Sequence, residues 1–567
     1  MSFYMYNASP PVVCVRRFKK NEKTGRGAYL TPIFGGVRLG CMTLKTVKRL
    51  CLRSAGLCLG LGLILSWSGC TANPVTGKKE FRVMSEKQEL DIGQKMYIPL
   101  QQEQGGAYVV DKELTAYVVG VADRLADVSD RHLPYEFVVL NNSAVNAWAL
   151  PGGKIAINRG LLLELDNEAQ LAAVIGHEIV HSAARHSARQ YEKGILLNLA
   201  LVGAQIAAHE HRDGRYAVMG ASVGAHMISL KYGRDNELES DKYGMVYMSR
   251  AGYDPAEAIR VQEMFVRLSG GKTPGRFATL FRSHPPSQHR VDKNAETAGT
   301  LRQGGTVNRE IYQRMIAGLK KTKPAYDAHD KGRAALSKKQ YRSALGLAEE
   351  AITLEPREAQ FFELKGKAFQ GLGNNGEATR AFDKAIALNP KLYDSRLQRG
   401  SLRKASGDEA GAREDLDASL RLMATAQGHY QLGLMESDSG NAESALKHFQ
   451  FASQGQDGFG KSARIEVARR TLAQNPERFI QTSAGVNNRG YAVVQVKNVS
   501  PIPIRNLRGQ MAPVNAQGER LAKPVAWSVQ GDLQPGEIRT IHTRMGPIRP
   551  SSGVTGFDVR ISHAAAG

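Results

Sequence analysis

The second half of this chain repeats with a period of 34 residues. Gly332, Gly366 and Gly400 are spaced by that step, Leu354, Leu388 and Leu422 keep it, and so do Pro356 and Pro390. Within one unit, Gly366, Ala378, Phe382 and Ala385 fall where two helices must pack closely, and Pro390 stops the second helix. Gly332, Ala344, Ala348, Ala351 and Pro356 reproduce the spacing, and Gly433, Ala445, Phe449 and Ala452 form a shifted copy. The stretch from Gly400 to Leu422 reads as a degenerate unit because it lacks the proline. A helix pair of this length cannot bury its apolar face alone, so the copies are expected to stack as an α-solenoid over residues 324–475.

A solenoid accounts for only part of 567 residues, and the rest must form further domains. From about Gly485 the texture changes to YAVVQVKN, PVAWSV, EIRTIHT and FDVRIS, alternating strands between Pro- and Gly-rich turns. This predicts a C-terminal β-sandwich over 485–567, to which only binding or structural duty is assigned. Ser85 with Gln88 predicts a capped helix start, and PYEFVVL, AVNAWAL and KIAIN predict strands within 134–158. The expected fold class is therefore multidomain α+β: a mostly helical domain at 85–300, a connector at 301–323, the solenoid and the sandwich.

Hydrophobic residues at 42% and charged residues at 23% exclude a mostly disordered or polytopic membrane chain. The formal charge is +22, but residues 1–69 hold eleven basic residues and one acidic, leaving 65 minus 53, or +12, spread over the remainder. That distribution favours a solvated basic surface over a nucleic-acid partner. All five cysteines, Cys14, Cys41, Cys51, Cys58 and Cys70, lie in the first 70 residues, so no intrachain disulfide can staple the body.

Residues 42–70 have a basic start, an apolar run from Ala55 to Leu65 and small residues before Cys70, the layout of a secretory signal. The run is too short for a spanning helix, which needs roughly 20 residues. Ser68-Gly69-Cys70 resembles a bacterial lipobox, which implies acylation of Cys70, outer-membrane sorting and a periplasmic location; plain secretion is the alternative. The lead-in 1–41 is long, and Met42 is the expected translation start. Residues 70–84 then read as a polar, lipidated tether.

The chemistry lies between His177 and Arg290. LAAVIGHEIVHSAARHS places His177, Glu178 and His181 as H-E-x-x-H inside an apolar helical pattern. Two imidazoles four residues apart on a helix share one face and can reach one Zn²⁺, while Glu178 stands beside the metal as a base for the attacking water. Two histidines leave the ion underligated. His186 is one residue out of the metzincin register, no Gly breaks the helix at Ala184, and His186 is expected on the surface. Downstream, NELESD offers Glu237 and Asp241 one turn apart. As in gluzincins, Glu237 is the expected third ligand and Asp241 the acceptor that orients a ligand imidazole. Glu239 points elsewhere on that helix.

These motifs, together with NAWALPGGKIAINRGLL, AGYDP and SHPPSQHR, resemble the zinc metallopeptidase family that contains the CAAX prenyl endopeptidases, the HtpX membrane proteases and the BepA-like periplasmic proteases. The solenoid period resembles tetratricopeptide repeats, which the BepA type carries. The resemblance implies that the helical unit at 85–300 is a zincin-type metalloprotease domain with one Zn²⁺ per chain and a substrate-pairing edge strand containing Asn146, Ala147 and Trp148. It implies His284 as a displaceable fourth ligand, and Arg290 as a supporting member of the catalytic set. The implied function is a zinc endopeptidase that cleaves misfolded or stalled outer-membrane or periplasmic proteins, anchored to the membrane through its lipid, with repeats that dock substrates or the outer-membrane assembly machinery. The alternative is a repeat-based periplasmic chaperone or assembly adaptor whose metal site is largely latent. Residues 194–208 and 217–230 are apolar but too short to span a bilayer, and His209, His211 and His226 among them are expected to be ordinary histidines.

Overall fold

The computed structural model describes residues 70–194, 232–270 and 275–567. The signal, the start at Met42 and the histidines His209, His211 and His226 lie outside the described residues. Within them, no helix is long and apolar enough to cross a membrane.

The segment expected to be a tether is a docked hairpin. β1 (Cys70–Ala72) pairs antiparallel with β2 (Lys79–Phe81). Its turn is closed by Asn73, whose Oδ1 accepts from the Val75 and Thr76 amides. The Asn73 amide group also donates to Ala184 O at 3.2 Å, and Glu80 pairs with Arg189. Val75 is buried in the main core. Polar composition concealed this, because the hairpin is held by long-range contacts rather than by an apolar face.

α1 (Glu86–Glu103) starts at the Ser85 capping box, and α2 (Lys112–Ala126) follows with Asp111 as its N-cap. β3 (Glu136–Leu140), β4 (Ala147–Leu150) and β5 (Lys154–Asn158) form one sheet in the order β3-β5-β4, with β4 antiparallel to β5 and at the edge. The turn α3 (Arg159–Leu162) leads to α4 (Glu168–Ala183), the H-E-x-x-H helix, whose N-cap Asn167 accepts from the Gln170 amide. Nearly every residue of α4 is buried, so the motif is carried by a core helix. α5 (Arg234–Arg250), α6 (Ala256–Ser269), α7 (Ala278–Ser283) and α8 (Gln288–Thr300) complete the unit.

The connector is helical and packed. α9 (Arg309–Met315) buries Tyr312, whose hydroxyl donates to Leu162 O at 2.7 Å. α10 (Ala317–Ser337) runs through the expected boundary at 323 with Pro324 inside it. α10 pairs with α11 (Tyr341–Leu354), α12 (Ala359–Gly371) with α13 (Asn375–Leu388), α14 (Tyr393–Ala405) with α15 (Glu409–Leu422), and α16 (Ala426–Asp438) with α17 (Ala442–Ala452); α18 (Gly458–Thr471) follows. A Cβ on Gly366 would lie 2.6 Å from the Phe382 ring, the close approach the period predicts. The unit read as degenerate is a complete pair: Ala412 and Leu416 fill the positions of Ala378 and Phe382 and are fully buried. The missing proline is therefore dispensable.

The array is fastened to the unit that contains α4. Tyr326 and Phe361 belong to the same apolar core as α4, the Arg159 guanidinium stacks on Tyr326 at 3.4 Å, and Gln360 Nε2 donates to Gly105 O at 2.7 Å.

The C-terminal unit contains two three-stranded antiparallel sheets. β7 (Ala492–Asn498) lies between β6 (Ile480–Val486) and β10 (Ile538–His542), and β8 (Ile504–Val514) lies between β9 (Val525–Ser528) and β11 (Gly556–Ala566). Both sheets contribute to one core through residues such as Val494, Val496, Leu507, Met511 and Trp527, as a sandwich requires. β6 begins before the expected boundary at 485, and neither β6 nor β8 was read as a strand. Gly509, Pro513 and the left-handed Asn506 (φ 52°) hide the alternation of β8.

Candidate metal centre

Two glycines determine how the centre is assembled. α4 and α5 cross at Gly176 and Gly244, where a Cβ on Gly176 would lie 3.1 Å from Gly244 O and one on Gly244 3.0 Å from the His177 amide nitrogen. With no side chain between the backbones, Glu237 and Asp241 on α5 reach the imidazoles of α4.

His177, His181, Glu237 and His284 come together, each offering one ligand atom, with all four atoms within 4.8 Å of one another. His177 Nε2 and His181 Nε2 are 3.0 Å apart, and Glu237 carboxylate oxygens lie 3.6 and 3.5 Å from them. His177 Nδ1 is 2.9 Å from Asp241 Oδ1, so its proton sits there and its Nε2 lone pair points into the cluster. Two converging lone pairs beside a carboxylate are a donor set that one cation satisfies, and two His with one Glu is the composition of a catalytic zinc site. The residues present therefore fit Zn²⁺.

Arg290, expected in the catalytic set, acts from behind the ligands. It holds Asp241 with two hydrogen bonds of 2.7 Å and places Nη1 2.8 Å from Glu237 Oε2. Burial would raise the pKa of both carboxylates, but charge overrules it: His284 and Arg290 hold Glu237 well below the usual range, and Arg290 with His177 lowers Asp241. Glu178 behaves differently. It is 2% exposed, its Oε2 has no hydrogen-bond partner, and burial raises its pKa against the opposing pull of His284 and His177. A carboxylate tuned upward, with one oxygen unpaired, is a stronger base than an ordinary glutamate and is suited to accept a proton. Burial keeps His181 neutral, its pKa far below the ordinary histidine value.

His284 stands at the C-terminus of α7, with Nδ1 3.1 Å from Glu237 Oε1 and 3.3 Å from His177 Nε2, and Nε2 3.6 Å from Glu178 Oε1. It thus spans a ligand and the candidate base. A cavity of about 40 Å³ is lined by His177, Glu178, His284 and Arg290 and by apolar residues that include Val174 and Phe265. Asn146, Ala147 and Trp148 lie on the edge-strand side of the sheet, but β4 and Asn146 are buried, so this edge is not open.

Three residues were missed or misplaced by the sequence reading. His186, expected on the surface, is fully buried, with Nδ1 3.0 Å from His181 Nδ1 and Nε2 3.1 Å from Glu239 Oε1. Glu239 points away from the metal position, as expected, but has a definite partner. Tyr232 stacks on the His181 ring at 3.8 Å and shares a hydrogen bond with Ser187; nothing in its local sequence signals this.

Residues 110–298 match the model of peptidase family M48. The chain is 31% identical over 201 residues to the putative beta-barrel assembly-enhancing protease of Vibrio cholerae, covering 33% of this chain and 40% of that one. It is 30% identical over 223 residues to the beta-barrel assembly-enhancing protease of Escherichia coli strain K12, covering 38% and 45%. It is 32% identical over 192 residues to the mitochondrial metalloendopeptidase OMA1 of Arabidopsis thaliana, covering 33% and 37%. Each match spans less than half of the relative's length. Among solved structures, the Arabidopsis OM64 TPR domain is similar at 21% identity and a TM-score of 0.18, covering 24% of this chain and 98% of that one. The residues that match peptidase family M48 lie ahead of the helical repeats.

Proposed function

We propose that the chain is a zinc-dependent endopeptidase of the cell envelope that cleaves misfolded or stalled outer-membrane or periplasmic proteins. The observation that carries this reading is the convergence of His177, His181 and Glu237 on one point, with Glu178 beside it, one of whose carboxylate oxygens has no hydrogen-bond partner. Bound there, Zn²⁺ would acidify water and polarise a peptide carbonyl. His177, His181 and Glu237 would hold the ion, and Asp241 and Arg290 fix the orientation of His177 and Glu237. Glu178 takes the proton from the attacking water and delivers it to the leaving amine, so the scission is balanced without a covalent enzyme intermediate. His284 supports a latent state, since its ring contacts both Glu237 and Glu178 and must swing aside for a substrate to reach them. Asn146, Ala147 and Trp148 would pair with an extended substrate once their edge is uncovered.

The names of the bacterial relatives support envelope proteins as substrates, and the repeats supply a surface for docking them or the outer-membrane assembly machinery. Acylation at Cys70 would anchor the protein to the outer membrane facing the periplasm, with the hairpin β1–β2 next to the lipid. The test is cleavage of an unfolded outer-membrane protein by the chain beginning at Thr71. Cleavage that a chelator stops and Glu178→Gln abolishes supports the protease. The His284 contacts also favour a second reading, a repeat-based chaperone or adaptor with a latent site. In that case Glu178→Gln would leave the cellular phenotype intact and altering the repeat surface would remove it.

A further inference from the structure

We propose that His186 and Glu239 are positioning residues for the metal ligand His181, forming a buried relay that sets how tightly the centre holds Zn²⁺. The inference rests on the reading of the cluster as a zinc site and assigns a role to two residues outside its ligand set.

The backbone creates the contact. In an uninterrupted helix the side chain five residues beyond His181 would lie about 140° around the axis and could not meet its ring. The helix instead ends at Ala183, and Arg185 adopts a left-handed conformation at φ 60°. That conformation is strained for a residue other than glycine. The guanidinium of Arg185 is held by Glu89 at 3.0 Å and by Met84 O at 3.2 Å, which favours the turn. The reversal carries His186 back onto the outer edge of the His181 ring, with Nδ1 facing Nδ1 at 3.0 Å.

The order of protons along the relay then follows. His181 Nε2 faces His177 and Glu237, so its lone pair is the one available to a cation. The proton of the neutral ring is therefore on Nδ1 and is donated to His186 Nδ1. A neutral His186 keeps its own proton on Nε2, which donates to Glu239 Oε1 at 3.1 Å. Ser240 Oγ lies 3.3 Å from the same Nδ1 of His186, a longer second contact. Each ring nitrogen has one assignment, and the relay terminates on a carboxylate. The two ligand histidines are thus supported differently: His177 by Asp241 directly, and His181 by Glu239 through an intervening imidazole. Outer partners of this type fix the ring's tautomer and orientation, and their loss typically costs about 10–100-fold in metal affinity.

The experiment is Zn²⁺ binding to the full chain, purified in detergent and stripped of metal, measured by competition with a chromophoric chelator. Co²⁺ absorption is recorded in parallel and folding is checked by circular dichroism. We expect His186→Ala to weaken Zn²⁺ about 10- to 100-fold and to alter the Co²⁺ bands. Glu239→Gln retains the side chain's size and an acceptor oxygen but not its charge, and should weaken Zn²⁺ by about three- to tenfold, an effect that simple packing would not produce. If His186→Ala does not fold, Glu239→Gln decides. Folded variants that bind Zn²⁺ within about twofold of wild type, with unchanged Co²⁺ bands, overturn the relay. Since no peptide substrate is involved, weakened Zn²⁺ binding in the two variants, with a wild type that binds Zn²⁺ normally but cleaves nothing, would uphold the relay while removing the protease reading. A wild-type chain that binds no Zn²⁺ overturns both.

Discussion

His284 Nδ1 lies 3.1 Å from Glu237 Oε1 and its Nε2 lies 3.6 Å from Glu178 Oε1. One imidazole therefore contacts both the candidate third ligand and the candidate base. Replacing it with Ala should free Glu178 and raise cleavage of an unfolded protein several-fold, measured as initial rate at saturating zinc. A rate that falls instead would make His284 a required ligand rather than a displaceable one.

Arg290 neutralises two buried carboxylates at once. In Arg290→Met both Asp241 and Glu237 lose their cation, and removing one partner of a buried ion pair costs about 3–5 kcal/mol. Denaturant unfolding of the metal-free chain should show a loss of that size. Arg290→Lys should recover only part of it, because a single ammonium cannot reproduce the two parallel bonds to Asp241.

Gly244→Ala should damage the centre without touching a ligand. The new Cβ would lie 3.0 Å from the His177 amide nitrogen and 3.1 Å from Gly176 C, both backbone atoms that cannot step aside. Overpacking of this kind costs about 1–3 kcal/mol. Forcing α5 away from α4 should weaken Zn²⁺ binding together with stability, read by chelator competition and thermal unfolding. Unchanged affinity would mean that the close helix crossing does not position Glu237.

How much of this was legible in the sequence depends on the range of the interactions. The helix pairs of the solenoid and the H-E-x-x-H helix are encoded by local periodicity, although the first helix of the array, α10, begins at Ala317, ahead of the expected start at 324. Glu237 and Asp241 were legible because a one-turn spacing places them on a common face. The His186 turn was not: a helix break is signalled by Gly, and here Arg185 takes the left-handed position with support from Glu89, 96 residues earlier. The hairpin at 70–81 escaped for a similar reason, since its three-residue strands are held by Ala184 and Arg189.

That hairpin should matter to stability. Asn73→Ala removes the side-chain acceptor closing the turn and the bond to Ala184 O, for a loss of about 1–2 kcal/mol in denaturant unfolding. No loss would return the segment to the status of a passive tether.

In the repeats, His429 Nδ1 faces His448 Nδ1 at 3.0 Å, and burial, aided by His448, lowers the His429 pKa to about 4. Unfolded histidine titrates near 6.5, so between about pH 6.5 and 4 the unfolded state binds the extra proton and folding weakens as pH falls. Hydrogen-exchange protection of α16 and α17 should drop across that window in wild type and change less in His429→Gln. Equal pH dependence in the two proteins would remove His429 as the cause.

The central claim is that His177, His181 and Glu237 hold one zinc ion beside Glu178. The most direct measurement is zinc content per purified full chain in the wild type, Glu178→Gln, Glu239→Gln, and Ala variants at His177, His181 and Glu237. The account predicts about one zinc in the wild type and in Glu178→Gln, retained binding at high zinc in Glu239→Gln, and loss in the three ligand variants. A wild type without zinc, or a Glu237→Ala variant that keeps it, would contradict the account.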